Sequence, residues 1–62
     1  MEKLAVQNRV VIYPKKGSHS YRIFGKRIEG RLMNNDTELL AIRNEEEASI
    51  YLIPVVEIEF LS

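Results

Sequence analysis

The residues best equipped for chemistry in this chain are cations interleaved with aromatic rings: Arg9, Tyr13, Lys15, Lys16, Tyr21, Arg22, Phe24, Lys26, Arg27 and Arg31. Ammonium and guanidinium groups neutralise phosphates and release counterions, and exposed rings offer stacking platforms for unpaired bases. The same residues also have a plainer use. Lysine on a strand edge keeps a sheet soluble and blocks edge-to-edge pairing, and Tyr13 and Tyr21 fit a core or a rim equally well. Charge is sorted along the chain. Arg9 to Arg31 holds seven basic residues against one acid, Glu29, and Asp36 to Glu59 holds seven acids against one base, Arg43. A formal net charge of zero conceals this division. Such sorting builds a face that attracts polyanions, or two faces that attract each other.

The remaining constellations point away from catalysis. His19 between Ser18 and Ser20 has the residue types of a nucleophile and its base, but a triad needs an orienting carboxylate and an oxyanion hole on a rigid frame. A polar loop supplies neither. Glu45-Glu46-Glu47 reads as a solvated, self-repelling hairpin tip. Glu57 and Glu59 share one face of the last strand, and general acid-base work would need a cleft that raises one pKa. The surroundings of Gly17 and Gly25 lack the spacing of a phosphate-cradling loop. There is no cysteine and one histidine, so neither a disulfide nor a thiolate metal site is available. The expectation is a protein without enzymatic activity, cofactor or metal.

The elements that must position these residues are short. At 62 residues the chain is one domain, residues 1–62, with a marginal core that favours self-association or a compact β-barrel. Val10–Tyr13 is a β-branched and aromatic run ending at Pro14. Pro14–Ser20 reads as a loop, and Tyr21-Arg22-Ile23 as the start of a strand. That strand resumes as Ile28, Gly30 and Leu32, with its apolar set shifted from odd to even positions. A shift of this kind requires a bulge or bend, placed at Phe24-Gly25-Lys26. Asn34-Asn35-Asp36 is a turn, Glu38–Arg43 a strand, Asn44–Glu47 a second turn, and Ala48–Ile53 a strand ending at Pro54. Val56–Phe60 alternates with glutamates out and apolar groups in. Met1–Asn8 has room for one or two helical turns. Five short strands separated by regular turns predict an all-β fold, a small five-stranded antiparallel barrel. The longest apolar stretch, Ile50–Val56, is far shorter than the roughly 20 residues of a membrane span. Met1–Asn8 has no apolar core of a signal peptide, which points to the cytoplasm and away from membranes.

Gly25-Lys-Arg-Ile28-Glu-Gly30-Arg-Leu32-Met-Asn-Asn-Asp36-Thr-Glu-Leu39-Leu40-Ala-Ile42-Arg-Asn44 resembles the first signature of the Sm-like fold: a glycine, a hydrophobe, a second glycine, a hydrophobe, a turn aspartate, then a hydrophobic strand. The likeness is to the bacterial, Hfq-like branch and is gap-free over this stretch. Val11-Ile12-Tyr13 is similar to that branch's first strand and Ile50-Tyr51 to its fourth. The resemblance implies an SH3-like (Sm-like) barrel, RNA binding and a ring of copies. Any SH3-like barrel also needs a mid-strand glycine and an acidic turn, so a barrel of another kind stays open. Departures fall on the RNA site. Hfq-like proteins carry a Gln-aromatic pair after the turn aspartate and a Lys-His pair after the fourth-strand tyrosine, both holding uridine bases. Thr37-Glu38 and Leu52-Ile53 stand there in this chain. Leu40 replaces the Sm-type asparagine, and the second signature's Arg-Gly falls near Ile53-Pro54. The segment between the first two strands is also longer, carrying Lys16–Phe24. The family's inner uridine site is therefore expected to be absent.

Two functions follow as expectations. One is a barrel binding RNA or another single-stranded nucleic acid, with Arg9, Lys15, Lys16, Arg22, Lys26, Arg27 and Arg31 on phosphates and Tyr21 and Phe24 stacking bases. The alternative is a homo-oligomeric interaction module with no nucleic acid, joined by strand addition, in which apolar residues of Val55–Leu61 are partly interfacial. The first requires that the early cations share one patch of the folded surface.

Overall fold

The computed structural model describes residues 6–62. Five strands form one antiparallel sheet: β1 (Arg9–Pro14), β2 (Ile28–Leu32), β3 (Leu39–Asn44), β4 (Ser49–Pro54) and β5 (Ile58–Leu61). Their order across the sheet is β4-β3-β2-β1-β5. A helix, α1 (His19–Phe24), interrupts the β1–β2 connection, and a 3-10 turn, Val55–Glu57, joins β4 to β5. Of the segment given room for helical turns, residues 1–5 lie outside the described ones, and Val6 and Gln7 make a turn.

The order and that short connection together dictate the shape. β4 and β5 stand at opposite ends of the sheet, yet Pro54 and Ile58 are separated by three residues. Fully stretched, that much chain reaches about 14 Å, whereas five strands laid flat would put their outer members about 19 Å apart. A 3-10 coil shortens the reach further. The sheet must therefore curl strongly, although it does not close: β4 and β5 have no ladder with each other.

Curling creates the core. Val10 and Ile12 of β1, Ile28 and Leu32 of β2, Leu40 and Ile42 of β3 and Ile53 of β4 are buried on the inner face, with Phe24, Tyr51, Val55, Ile58 and Leu61 packed against them. The inner positions of β2 and β3 are those the alternation predicts, while the run Val10–Tyr13 of β1 carried no alternation to read. Gly30 sits in the middle of β2, where a Cβ would collide with the Arg43 carbonyl oxygen and lie 2.8 Å from Ile42 Cγ2. Only a glycine lets β3 approach β2 this closely.

Asparagine side chains finish what the strands leave open. Asn34 donates Nδ2–H to the Leu39 carbonyl (3.1 Å) and accepts the Ala41 N–H (3.0 Å), taking a strand's place beside β3. Asp36 accepts the Glu38 N–H in the turn between. Asn44 accepts the Glu47 N–H and shapes the β3–β4 turn.

Three readings of the sequence are corrected. Tyr21-Arg22-Ile23 is helix, not strand, and Phe24-Gly25-Lys26 is a helix end, not a bulge. Ser18, in extended geometry, accepts the Tyr21 N–H (3.1 Å), while Gly25 at φ 89° donates its N–H to the Tyr21 carbonyl (2.9 Å). Over three residues a period of two cannot be told from one of 3.6. The irregularity of register lies elsewhere, between Tyr13 and Pro14 where β1 pairs with β5. The last strand also does not alternate cleanly. Glu57 belongs to the 3-10 turn and is half-buried, and Phe60 of β5 is 58% exposed.

Gly30→Ala is expected to cost at least about 2 kcal/mol, because the obstructing atom is backbone and cannot rotate away. A chain of this length has roughly 3–9 kcal/mol in total. Urea unfolding followed by circular dichroism measures the loss, and an unchanged midpoint would refute the close-approach argument.

Candidate nucleic-acid interface

An isolated six-residue helix is not stable in water, so α1 depends on what holds it. Besides the Ser18 cap, Ser20 donates both its backbone N–H (2.9 Å) and its hydroxyl (2.6 Å) to Glu57 Oε1. Lys15 donates its N–H to the Glu57 carbonyl (2.8 Å). At the other end Phe24 lies against Tyr51 of β4, ring centroids 4.8 Å apart. The buried face of α1 is thus Ser20 with half-buried Tyr21 and Phe24, and its exposed face is His19, Arg22 and Ile23. Helical spacing puts Ser20 and Phe24 one above the other.

This arrangement leaves one group of cations unpaired and binds another into ion pairs. Lys15 and Lys16 flank the start of α1, Arg22 lies on it and Lys26 follows its end, all exposed. No carboxylate occurs between Lys15 and Ile28, and among the described residues these four cations make no ion pair. Arg9, Arg27 and Arg31 are situated differently. The register sets Arg9 opposite Arg31 and Arg31 opposite Arg43, a row of like charges across β1, β2 and β3 that would repel. Glu45 reaches back from the β3–β4 turn over two of them, 3.2 Å to Arg9 Nη2 and 2.7 Å to Arg31 Nε. Glu29 lies 3.3 Å from Arg9 and 3.2 Å from Arg27. A phosphate must displace one of these carboxylates to use those arginines. Arg31 further donates to the Gln7 carbonyl (3.0 Å).

Glu45 is the residue the sequence reading passed over as part of a solvated tip. Nothing local marks it. Its role appears only when the β3–β4 hairpin folds back over β2. The Arg31 hydrogen bond and the nearby charges of Arg31, Arg9 and Arg43 hold its carboxyl below the ordinary range. Glu47 likewise accepts from the Tyr51 hydroxyl (2.9 Å).

The two candidate stacking residues are both half-buried. Tyr21 is on the packed side of α1, and Phe24 shares its ring contact with Tyr51. The most exposed ring is Phe60, tilted against half-buried Tyr13 at 5.7 Å. Ser20, whose hydroxyl proton is committed to Glu57, and Ser18, which caps α1, have structural partners. Among the described residues, no cluster of three His, Cys, Asp or Glu side chains is arranged to hold a metal ion, and no helix is long and apolar enough to cross a membrane.

Compared with family models, curated proteins and solved structures, the chain matches none.

The Ser20 hydroxyl, the Ser20 N–H and then the charge of His19 lower the Glu57 pKa. A depressed folded-state pKa contributes stability that is complete above the unfolded value of about 4.3 and is lost as pH falls through the folded value. Glu57→Gln should therefore be less stable than the parent at neutral pH, with the gap closing as the pH drops below about 4.3. Thermal melts across that range check it, and a gap independent of pH would show that the carboxylate does not hold α1.

Proposed function

We propose that this chain is a small Sm-like barrel that binds RNA or another single-stranded nucleic acid through the α1 element and acts as a homo-oligomer. The observation that carries the reading is Lys15, Lys16, Arg22 and Lys26 gathered on one short excursion with no carboxylate in it. The strand order, the return of β5 onto β1 and the crowded Gly30 in β2 are compatible with an SH3-like barrel of Sm-like type. The excursion occupies the segment that is longer here than in the Hfq-like pattern. Loss of the inner uridine positions at Thr37-Glu38 and Leu52-Ile53 is then offset by a binding element elsewhere on the barrel.

Four phosphates contacted on a single strand give a slope of log K against log salt near −3. Fluorescence anisotropy with a labelled oligonucleotide at several salt concentrations measures it. Lys15→Glu combined with Lys16→Glu should weaken binding more than about tenfold for every sequence tested. A flat salt response or an unaltered double variant would sink the reading.

A different observation favours assembly, with or without nucleic acid. Ile50 and Leu52 on the outer face of edge strand β4 are 56% and 57% exposed, and Leu52 pairs across to Ala41 beside exposed Leu39. At the opposite edge Val56 and Phe60 are 77% and 58% exposed. Addition of β4 of one copy to β5 of the next would cover both edges in a head-to-tail chain or ring. Sedimentation should find the parent associated and Leu52→Lys monomeric. A monomeric parent at high concentration removes this part of the proposal.

A further inference from the structure

Between the end of α1 and the β3–β4 turn runs a groove of about 230 Å³. The rings of Phe24 and Tyr51 lie along it, tilted 32° to each other, with 58% exposed Ile23 to one side. Arg27, Glu29 and Asn44 supply its polar rim. These same three residues border an adjoining depression of about 500 Å³ that extends towards Arg9, Glu45 and Glu46. The groove is smaller than the roughly 300–1,000 Å³ of sites for drug-sized ligands, which limits the occupant to one flat ring system. Asn44 uses its Oδ1 to accept the Glu47 N–H, and its amide also engages the Tyr51 hydroxyl.

Resting on the nucleic-acid reading, we propose that this groove receives one unpaired base of the bound strand, and guanine in preference to the others. Aromatic rings accept the face of any base, so selection falls to the rim. A carboxylate only accepts hydrogen bonds, and a guanidinium or an amide NH2 only donates. Guanine alone presents two adjacent donors, N1–H and N2–H2, beside an acceptor, O6, on its pairing edge. Glu29, held between Arg9 and Arg27 with lone pairs left on both oxygens, matches the donors, and the remaining N–H groups of Arg27 match O6. Uracil and thymine place an acceptor on either side of one donor and meet the carboxylate poorly. Lys26 directly precedes Arg27, and Arg22 directly precedes Ile23, so phosphates held by the α1 cations deliver the neighbouring base to the groove.

The test compares a short uridine oligomer carrying one central guanosine with the all-uridine oligomer, by anisotropy at fixed salt. Wild-type protein should bind the guanosine oligomer about five- to tenfold more tightly. Phe24→Leu should remove most of that gain by deleting the ring. Glu29→Gln replaces the acceptor-only carboxylate at the cost of exposed ion pairs alone, and should erase the guanosine preference if Phe24→Leu fails to fold. Tight binding of both oligomers with no preference, or a preference that survives both variants, overturns the groove assignment and leaves the charge-led reading standing. Failure of the wild type to bind either oligomer overturns both.

Discussion

Three residues between β4 and β5 govern this molecule. Because Val55–Glu57 must carry the chain from one end of the sheet to the other, the sheet has to curl, and the curl turns the even positions of β1 to β3 into a common interior. The connection then does a second job. Glu57 anchors α1 through Ser20, while Phe24 at the far end of the helix rests on Tyr51 of β4. The helix therefore packs against β4 and the turn that leaves it. A helix too short to persist alone is stable here because both of its ends are held by parts of the fold that the same connection brought together.

Antiparallel pairing explains why charge sorted in sequence is not sorted in space. β2 is paired on both sides, so Arg31 meets Arg9 and Arg43, and the turn that follows β3 swings Glu45 over that row. Acids from the second half of the chain are thereby laid onto arginines of the first. The ion pairs are exposed, with side chains 41–56% accessible, and such pairs add little stability. Their larger effect is on the field outside the protein, which they reduce over β1 and β2. The β1–β2 excursion escapes this cancellation because no strand pairs with it. Four of its cations, Lys15, Lys16, Arg22 and Lys26, stay unpaired among the described residues, while Arg27, next to β2, pairs with Glu29.

Sequence pattern made the strands legible where alternation ran long enough. β2 and β3 are within a residue of the segments that Ile28-Gly30-Leu32 and Leu40-Ile42 indicate, and the turns at Asn34–Asp36 and Asn44 follow from side chains that bond locally. The helix was missed because three residues of alternation, Tyr21 to Ile23, outweighed the stop and start signals around them. Ser18 ahead and Gly25 behind bracket a helix of this length, and that bracket was the available clue. Glu57 and Glu45 were not legible at all. Their partners are 37 and 14 residues away in Ser20 and Arg31, and no local pattern encodes a contact that depends on the sheet's curl. Of the candidate interface, the cations were visible as a list. Their division into an unpaired group along the β1–β2 connection and an ion-paired group of Arg9, Arg27 and Arg31 was not.

The outer face of the sheet is itself divided. β1 and β2 present Arg9, Val11, Glu29 and Arg31, whereas β3 and β4 present Leu39, Ala41, Ile50 and Leu52 with a single cation, Arg43. A charged half resists burial against another protein, and an apolar half invites it. Contact between copies would therefore fall on the β4 side, away from the ion-paired arginines. With α1 standing on the inner side of β4, through Tyr51, the exposed row of Ile50 and Leu52 remains open to a neighbour. Copies joined in this way would repeat the α1 cations once per subunit. On the proposed reading, one strand touching several of them would gain by effective concentration, which would offset the weakness of a four-cation contact on a single chain.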